Sequence, residues 1–421
     1  MKISVIGLGY VGLPLAILAK SKGHDVIGID TNKQIVKSIN ERKSHINDPT
    51  IEGSLKNHPF RSSVNYSLIK DREVIVVCVP TPIDKNYRPN LKPLILASES
   101  LSKVIKKNQL VIIESTIYPG TCEEVILPIL EKSGLVGEKD FFLAHCPERI
   151  NPGDLTWNLT NIPRVVGGLG ENSLRKAAAF YSSLVSANLT QLSSLKAAEA
   201  VKILENTFRD VNIAFINEMA MSFDKMGVDI IEVIKGASTK PFAFMTHYPG
   251  CGVGGHCIGV DPYYIIEKAK SIGFDHRFLI LARKINQQMP SHTVESLQSE
   301  LNDLGFCING ARIGLLGLAY KANVDDIRES PAVVIFNILK KKKAHVVVYD
   351  PYLPKMSDVS SLSELLKKVD FLLLATDHAI FKTLNAKVLK ENNIKLVIDG
   401  RNCLSKEALE KEGIRYKGIG R

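Results

Sequence analysis

Short apolar runs separated by stretches of helical period recur along the first third of the chain. Ile3–Ile6, Val26–Ile29, Val74–Val79, Leu110–Glu114 and Phe141–Ala144 are the strand candidates. Strands that alternate with helical segments imply βαβ units and a parallel sheet. The run Val74-Ile75-Val76-Val77-Cys78-Val79 is apolar at every position, not at every second one. A strand of that kind is covered on both faces by helices.

The middle of the chain changes period. From about Lys196 to Met226 a helical pattern runs without Pro or Gly until Gly227. That is longer than most globular helices, and such helices connect domains or pack on a copy of themselves. A glycine-rich loop follows over Pro249–Gly259, then further helix to about Leu304. The last third restarts the opening rhythm. Ala311-Arg312-Ile313-Gly314-Leu315-Leu316-Gly317 is a strand running into a glycine turn, and Val346–Tyr349, Phe371–Leu374 and Leu396–Ile398 follow as strands. The pattern predicts an α/β fold of two Rossmann-like, doubly wound parallel-sheet domains joined by a long central helix. The expected boundaries are 1–195, 196–304 and 305–421.

Composition narrows the class. A chain of 421 residues exceeds one ordinary core. Hydrophobic residues at 45% and charged residues at 23% exclude wholesale disorder. No apolar stretch approaches the roughly 18–20 residues of a membrane span. Met1–Gly7 reads as a strand and turn and not as a cleaved presequence. A cytoplasmic protein without a membrane partner is expected. Lys and Arg exceed Asp and Glu by 10, which suits acidic partners such as nucleic acid, anionic lipid or phosphorylated small molecules. The longest basic run, Lys340–Lys343, closes a helical stretch, where cations favour the dipole. One Trp and no aromatic residues interleaved with basic ones argue against a nucleic-acid partner. Seven cysteines in a large chain without a secretory signal imply reduced thiols.

Gly7-Leu8-Gly9-Tyr10-Val11-Gly12 is a G-x-G-x-x-G directly after a strand. Its glycines allow a tight turn, close approach of a pyrophosphate, and close packing of helix on strand. Asp30, 18 residues beyond Gly12, ends the second strand, where an acid accepts ribose hydroxyls and favours NAD over NADP. Val79-Pro80-Thr81-Pro82 and Ser115-Thr116-Ile117-Tyr118-Pro119-Gly120 also follow strands. Their hydroxyls are either cofactor contacts or ordinary turn chemistry.

On the long helix, Glu199, Lys202, Asn206 and Arg209 form a polar stripe beside apolar Val201, Leu204, Phe208, Val211 and Phe215. Taken alone, the stripe reads first as a solvated edge and second as the wall of a site. Gly250–Asp261 holds five glycines, two thiols, an imidazole and a carboxylate. A zinc site would need His247, Cys251, His256 and Cys257, but adjacent His256 and Cys257 are awkward joint ligands. No metal is expected. Cys257 with Asp261 four residues on reads as a nucleophilic thiol beside an acid, whereas Cys251 fits a small buried side chain. Glu148 stands in Pro147-Glu148-Arg149 after a strand and before a Pro-Gly turn at 152–153. Lys321, Asp325, Asp326, Arg328 and Glu329 cluster after the second glycine turn.

These motifs in this order resemble the UDP-glucose/GDP-mannose dehydrogenase family over essentially the whole chain. GLGYVG, VPTP, ESTIYPG, PER, K-x-x-x-N, GVGGHC-x-x-x-D, YK-x-x-x-DD-x-RESP and DGRN all carry the likeness. The resemblance implies an NAD domain, a long helix in a homodimer interface, and a C-terminal UDP domain. It implies oxidation of C6 of a nucleotide sugar to a carboxylate with two NAD. By resemblance Cys257 adds to the intermediate aldehyde as a thiohemiacetal and passes through a thioester. Lys202 and Asn206 wall the oxyanion, Glu148 and Asp261 assist water and protons, and Thr116 positions water near the nicotinamide. Gly7, Gly9, Tyr10, Val11, Gly12, Asp30, Thr81, Thr116 and Arg328 map to NAD. Glu148, Arg149, Ile150, Lys202, Asn206, Arg209, Gly254, Tyr320, Lys321 and Arg401 map to the UDP-sugar substrate. One departure is visible: many relatives carry Lys or Arg where this chain has Ile35, which removes an adenosine-side contact.

His256, Ile258, Val260 and Arg149 are similar to the N-acetylhexosamine members and unlike the UDP-glucose members. The segment Thr239–Phe244 lacks the His-Pro-x-Arg pattern of mannosamine enzymes, so UDP-N-acetylglucosamine is the expected substrate, for surface polysaccharide synthesis. UDP-N-acetylmannosamine, UDP-N-acetylgalactosamine and UDP-glucose are the near alternatives. A β-hydroxyacid dehydrogenase, which needs neither Cys257 nor the last third, and an NAD-sensing structural protein are the remote ones.

Overall fold

The structure is a computed structural model that describes residues 1–46, 48–150 and 156–421. The expected Pro-Gly turn at 152–153 lies outside the described residues. The chain divides into two compact units, 1–205 with 263–274, and 206–262 with 275–421. The stretch 196–304 is thus shared between both units.

The first unit is built on eight strands: β1 (Lys2–Ile6), β2 (Asp25–Ile29), β3 (Arg61–Ser63), β4 (Val74–Val77), β5 (Leu110–Ile113), β6 (Phe142–His145), β7 (Arg164–Gly168) and β8 (Leu189–Gln191). Their order is β3-β2-β1-β4-β5-β6-β7-β8. β4, β5 and β6 are buried at every residue, which is why β4 and β5 are apolar without alternation. The core joins strand residues such as Ile3, Val5, Val76 and Ile112 to Leu15 and Leu18 from one helix and Phe180 and Tyr181 from another. The strand order reverses between β1 and β4, and ligands of open parallel sheets bind beyond the carboxyl ends at such a point.

One pairing departs from the expected parallel sheet. β7 runs antiparallel to β6, with Ala144 opposite Gly168 and His145 opposite Gly167. β3, β7 and β8 were not among the expected strands. β3 and β8 have only three residues each, too short to show a period. β7 ends in Gly167-Gly168, which reads as a breaker. Both glycines are obligatory, because an added Cβ would lie 2.3 Å from backbone Ser194 O or Leu174 N.

The helix Leu195–Lys225 leads from the first unit into the second. The second unit holds β9 (Arg312–Leu316), β10 (His345–Tyr349), β11 (Phe371–Leu374), β12 (Leu396–Asp399) and β13 (Arg415–Gly418). The order is β10-β9-β11-β12-β13, parallel throughout. Two Rossmann-like parallel-sheet units joined by a long helix are therefore what the chain forms. Among the described residues no helix is long and apolar enough to cross a membrane.

Candidate functional site

In the first unit the glycine turn leaves β1 with Gly7 at φ +87°. A Cβ on Gly7 would lie 2.8 Å from Cys78 O, and one on Gly12 only 1.9 Å from Gly7 O. These two glycines are demanded by the chain itself. Gly9 differs, since a Cβ there meets nothing within 4 Å. Its bareness keeps space open just where the helix Gly12–Ser21 begins. That helix has no side-chain cap and no acid in its first turn, so its positive end suits a pyrophosphate. Val11 is its N-cap residue and Tyr10 is exposed beside it. Asp30 accepts from Leu8 N–H at 2.9 Å and Asn32 N–H at 2.8 Å, so it also pins the turn. These features fit a dinucleotide.

Thr81 and Thr116 lie beyond β4 and β5. Thr81 Oγ1 donates to Thr116 O at 2.7 Å, and Tyr264 Oη donates to Thr81 O. Ser115 Oγ donates to Val79 O at 2.7 Å. The hydroxyls of the two loops thus tie the loops together, which is the turn reading, while leaving both at the switch point. Beyond β6, Glu148 is buried, and its Oε1 accepts the N–H groups of Arg149 and Ile150, each at 2.6 Å. The Arg149 guanidinium is committed to Glu205 and to Pro163 O at 2.9 Å. Lys202 is half-buried, and burial together with the Lys202 charge holds His145 down to about 3.

The solvated-edge reading of the polar stripe fails at Glu199, while Lys202 and Asn206 are half-buried. Glu199 is 1% exposed, while Leu204 and Phe215 on the same helix are 71% and 56% exposed. The Glu199 carboxylate accepts Gly120 N–H at 2.5 Å and Cys122 N–H at 2.8 Å, which holds the end of the ESTIYPG loop. Arg209 is exposed.

In the second unit, Asn206 Nδ2 donates to Asp261 Oδ2 at 2.6 Å. Asp261 N–H in turn donates to Cys257 O at 2.8 Å. The candidate thiol, the acid and the amide are therefore joined through one short segment. Cys257 is partly exposed and Cys251 fully buried, its thiol donating to Ala375 O at 3.3 Å, as read from the sequence. Gly254 and Gly255 are bare because the Tyr320 side chain lies against them; Cβ atoms would sit 2.7 and 2.6 Å from it. Gly255 N–H donates to Arg328 O at 2.9 Å, and Arg328 pairs with Asp326 at 2.6 Å. Arg401 packs on Gly250 and pairs with Asp377 at 3.4 Å. Lys321 follows Tyr320 on the same loop and is half-buried.

A supporting network escaped the sequence reading. Asp210, 1% exposed, accepts from Arg283 at 2.6 Å and Asn286 at 2.8 Å. Asn217 donates to Asn286 at 2.9 Å and accepts Gly250 N–H at 3.0 Å. This chain of bonds anchors the start of the cysteine loop to two helices. Its signal was present: Asp210 and Asn217 stand seven apart, and Arg283 and Asn286 three apart, on otherwise apolar helical faces.

Three family models match in order. The NAD-binding domain of the UDP-glucose/GDP-mannose dehydrogenase family covers residues 1–185, its central domain 196–288, and its UDP-binding domain 314–406. Protein CapL of Staphylococcus aureus is 42% identical over 89% of both chains. A UDP-N-acetyl-D-glucosamine 6-dehydrogenase of Pseudomonas aeruginosa is 38% identical over 93% of this chain and 94% of its own. A solved UDP-D-ManNAc dehydrogenase from Pyrococcus horikoshii superposes with a TM-score of 0.93 at 37% identity, covering 100% of this chain and 99% of that one. With its glycine turn, its UDP-binding domain and these relatives, the chain belongs to the UDP-glucose/GDP-mannose dehydrogenase family and is an NAD-dependent nucleotide-sugar dehydrogenase.

Proposed function

We propose that the chain oxidises C6 of a UDP-N-acetylhexosamine to the carboxylate, with UDP-N-acetylglucosamine as the substrate, for surface polysaccharide synthesis. The observation that carries the reading is the Cys257 segment, a partly exposed thiol whose backbone carbonyl holds Asp261, itself bonded to Asn206. NAD, when bound, accepts the hydrides. Cys257 Sγ adds to the aldehyde carbonyl carbon, forming a C–S bond. After loss of the second hydride the adduct is a thioester. Water cleaves that C–S bond, giving the carboxylate and returning the thiol. Asp261, oriented by the Asn206 amide, assists proton transfer, and Glu148, Lys202 and Thr116 take the roles that the resemblance assigns.

The relatives' names divide between glucosamine and mannosamine substrates. The Thr239–Phe244 segment favours glucosamine. A homodimer is part of the proposal, because exposed Leu204, Phe208 and Phe215 leave an apolar face on the long helix. Arg209 on that helix is the donor proposed for the acetamido carbonyl.

A panel of UDP-sugars assayed for NADH tests the reading, and two NADH per sugar are expected with UDP-N-acetylglucosamine above the others. Cys257→Ser stops carboxylate formation. One NADH per sugar, or normal turnover in Cys257→Ala, overturns the covalent route.

A further inference from the structure

Beneath Glu148 lies a buried charge cluster in which Glu114 of ESTIYPG and Glu148 of PER meet a cation, Arg164, that stands outside the motifs. Arg164 opens β7 and is 1% exposed. Its guanidinium reaches Glu114 Oε1 at 3.2 Å and Glu148 Oε2 at 3.5 Å. Tyr181 Oη donates to Glu114 Oε1 at 2.5 Å, and the Cys78 thiol faces Glu114 Oε2 at 3.8 Å. Cys146 Sγ lies 3.8 Å from Arg164 Nη1, and the guanidinium also sits 5.1 Å from the centre of the Tyr181 ring. Glu148 Oε2 and Arg164 Nε and Nη2 are buried without a hydrogen-bond partner among the described residues.

Topology explains how these groups meet. Cys78, Glu114 and Cys146 each follow directly on a parallel strand, so they share the carboxyl edge of the sheet. Arg164 begins its strand and would normally lie at the opposite edge. The antiparallel pairing of β7 with β6 reverses that. Continuing its register three residues beyond His145 opposite Gly167 sets Glu148 opposite Arg164. The reversal at β7 delivers a cation to the place where two carboxylates converge.

We infer that Arg164 is a positioning residue for Glu148, and that Glu114 competes with Glu148 for the same guanidinium. One cation between two buried carboxylates serves neither fully. Burial and neighbouring Glu148 push Glu114 up to about 7 against the pull of Arg164. When Glu114 holds a proton, Arg164 belongs to Glu148 alone. When Glu114 ionises, the two share it. The inference rests on the reading of Glu148 as the group that assists water. The charged and titratable groups around that carboxylate are Arg164, Glu114, Cys78, Cys146 and Tyr181, with Arg149 turned to Glu205 and His145 held neutral by burial and Lys202.

The test is the pH profile of kcat/KM for the full chain with NAD and UDP-N-acetylglucosamine. Glu114→Gln mimics protonated Glu114, so its profile follows the wild type on the acid side, and the inflection that ionisation of Glu114 imposes near pH 7 is lost, with KM within twofold. Arg164→Lys weakens the contact to Glu148 at every pH, so the acid limb moves to higher pH and kcat falls about tenfold or more. Loss of the inflection in one variant and the shifted limb in the other support the inference, since a purely structural role would scale activity with the folded fraction and leave the profile in place. Should Arg164→Lys not fold, Glu114→Gln decides alone. A Glu114→Gln profile superimposed on the wild type at every pH overturns the inference. Glu148→Gln separates the two readings. If it is as active as the wild type, the role of Glu148 falls and the inference with it. If it is inactive while the Glu114→Gln profile superimposes on the wild type, only the inference falls.

Discussion

The two units open with nearly the same device and use it differently. Gly7 and Gly317 leave their strands at φ +87° and +86°. Gly7 N–H donates to Ile29 O at 2.8 Å, and Gly317 N–H to Tyr349 O at 2.9 Å. The acid ending the next strand then accepts the following N–H: Leu8 to Asp30 at 2.9 Å, Leu318 to Asp350 at 2.7 Å. From there they part. In the first unit a helix starts at Gly12, and Gly9 holds space open. In the second, the next helix begins only at Pro331, and the intervening loop carries Tyr320, Lys321 and Arg328. Asp350 has 0% exposure, accepting Ala319 N–H at 2.9 Å as well and meeting His378 Nε2 at 3.2 Å. Burial acts to raise Asp350, but His378 and the backbone donors prevail and hold it below the usual carboxylate range. An acid so fully used has no capacity left for a ribose. The comparison teaches that strand, glycine and acid form a structural corner. In our proposal cofactor binding comes from the helix end and the open space beside it.

The glycines offer the largest break. Gly12→Ala puts a methyl into Gly7 O, a contact with backbone that cannot give way. It should cost about 1–3 kcal/mol or more of stability and abolish NAD binding, read by thermal melting and fluorescence titration. Gly9→Ala sharpens the point. Its melting temperature should match the wild type while NAD affinity drops by about tenfold or more. Wild-type NAD affinity in Gly9→Ala would show that the open space is not the pyrophosphate's.

The two acids should separate next. Asp350→Asn should lower stability by about 1–3 kcal/mol, because buried N–H donors face an amide, with the preference for NAD over NADP unchanged. Asp30→Asn should do the reverse, relaxing that preference with a smaller loss of stability. Relaxed cofactor preference in Asp350→Asn would undo the distinction.

Titration gives the smallest and most selective difference. Glu114 is held at about 7 against an ordinary 4.5, chiefly by burial. A raised carboxyl costs nothing below 4.5, where both states are protonated. The cost grows as pH rises to about 7, to about 3 kcal/mol at about 1.4 kcal/mol per unit. His145, held at about 3 by burial and Lys202, works oppositely, removing stability as pH falls below 6.5. Asp350, held low, contributes stability above 3.8 that is lost on acidification. Urea unfolding of Glu114→Gln and the wild type at pH 4.5 and 7.5 should show the substitution relatively more favourable at the higher pH. A constant difference between the proteins would remove Glu114 as the titrating group.

Most of the architecture was legible where periodicity was strong. Val74–Val77 and Leu110–Ile113 announced buried parallel strands because every position is apolar, and the helix Leu195–Lys225 ends one residue from its expected limits. β3, β7 and β8 were not legible, because three-residue strands have no period and Gly167-Gly168 imitates a turn. The chemical motifs were legible as residue types. The partners of those residues were not: Glu199 looked solvated by its neighbours along the helix, yet it accepts two N–H groups from a loop more than 70 residues away.

Local chemistry in the chain alone determined the two glycine corners, the long helix, the nucleophile candidate at Cys257, and the difference between Cys251 and Cys257. Those follow from backbone freedom, side-chain period and the presence of a thiol, all of which act over a few residues. Only the tertiary structure decided that Asp350 is consumed by its own fold, that Asn206 holds Asp261, and that Arg164 stands opposite Glu148. Each depends on which strand lies beside which and in which direction, and strand direction is set by packing across the whole sheet rather than by any residue in it.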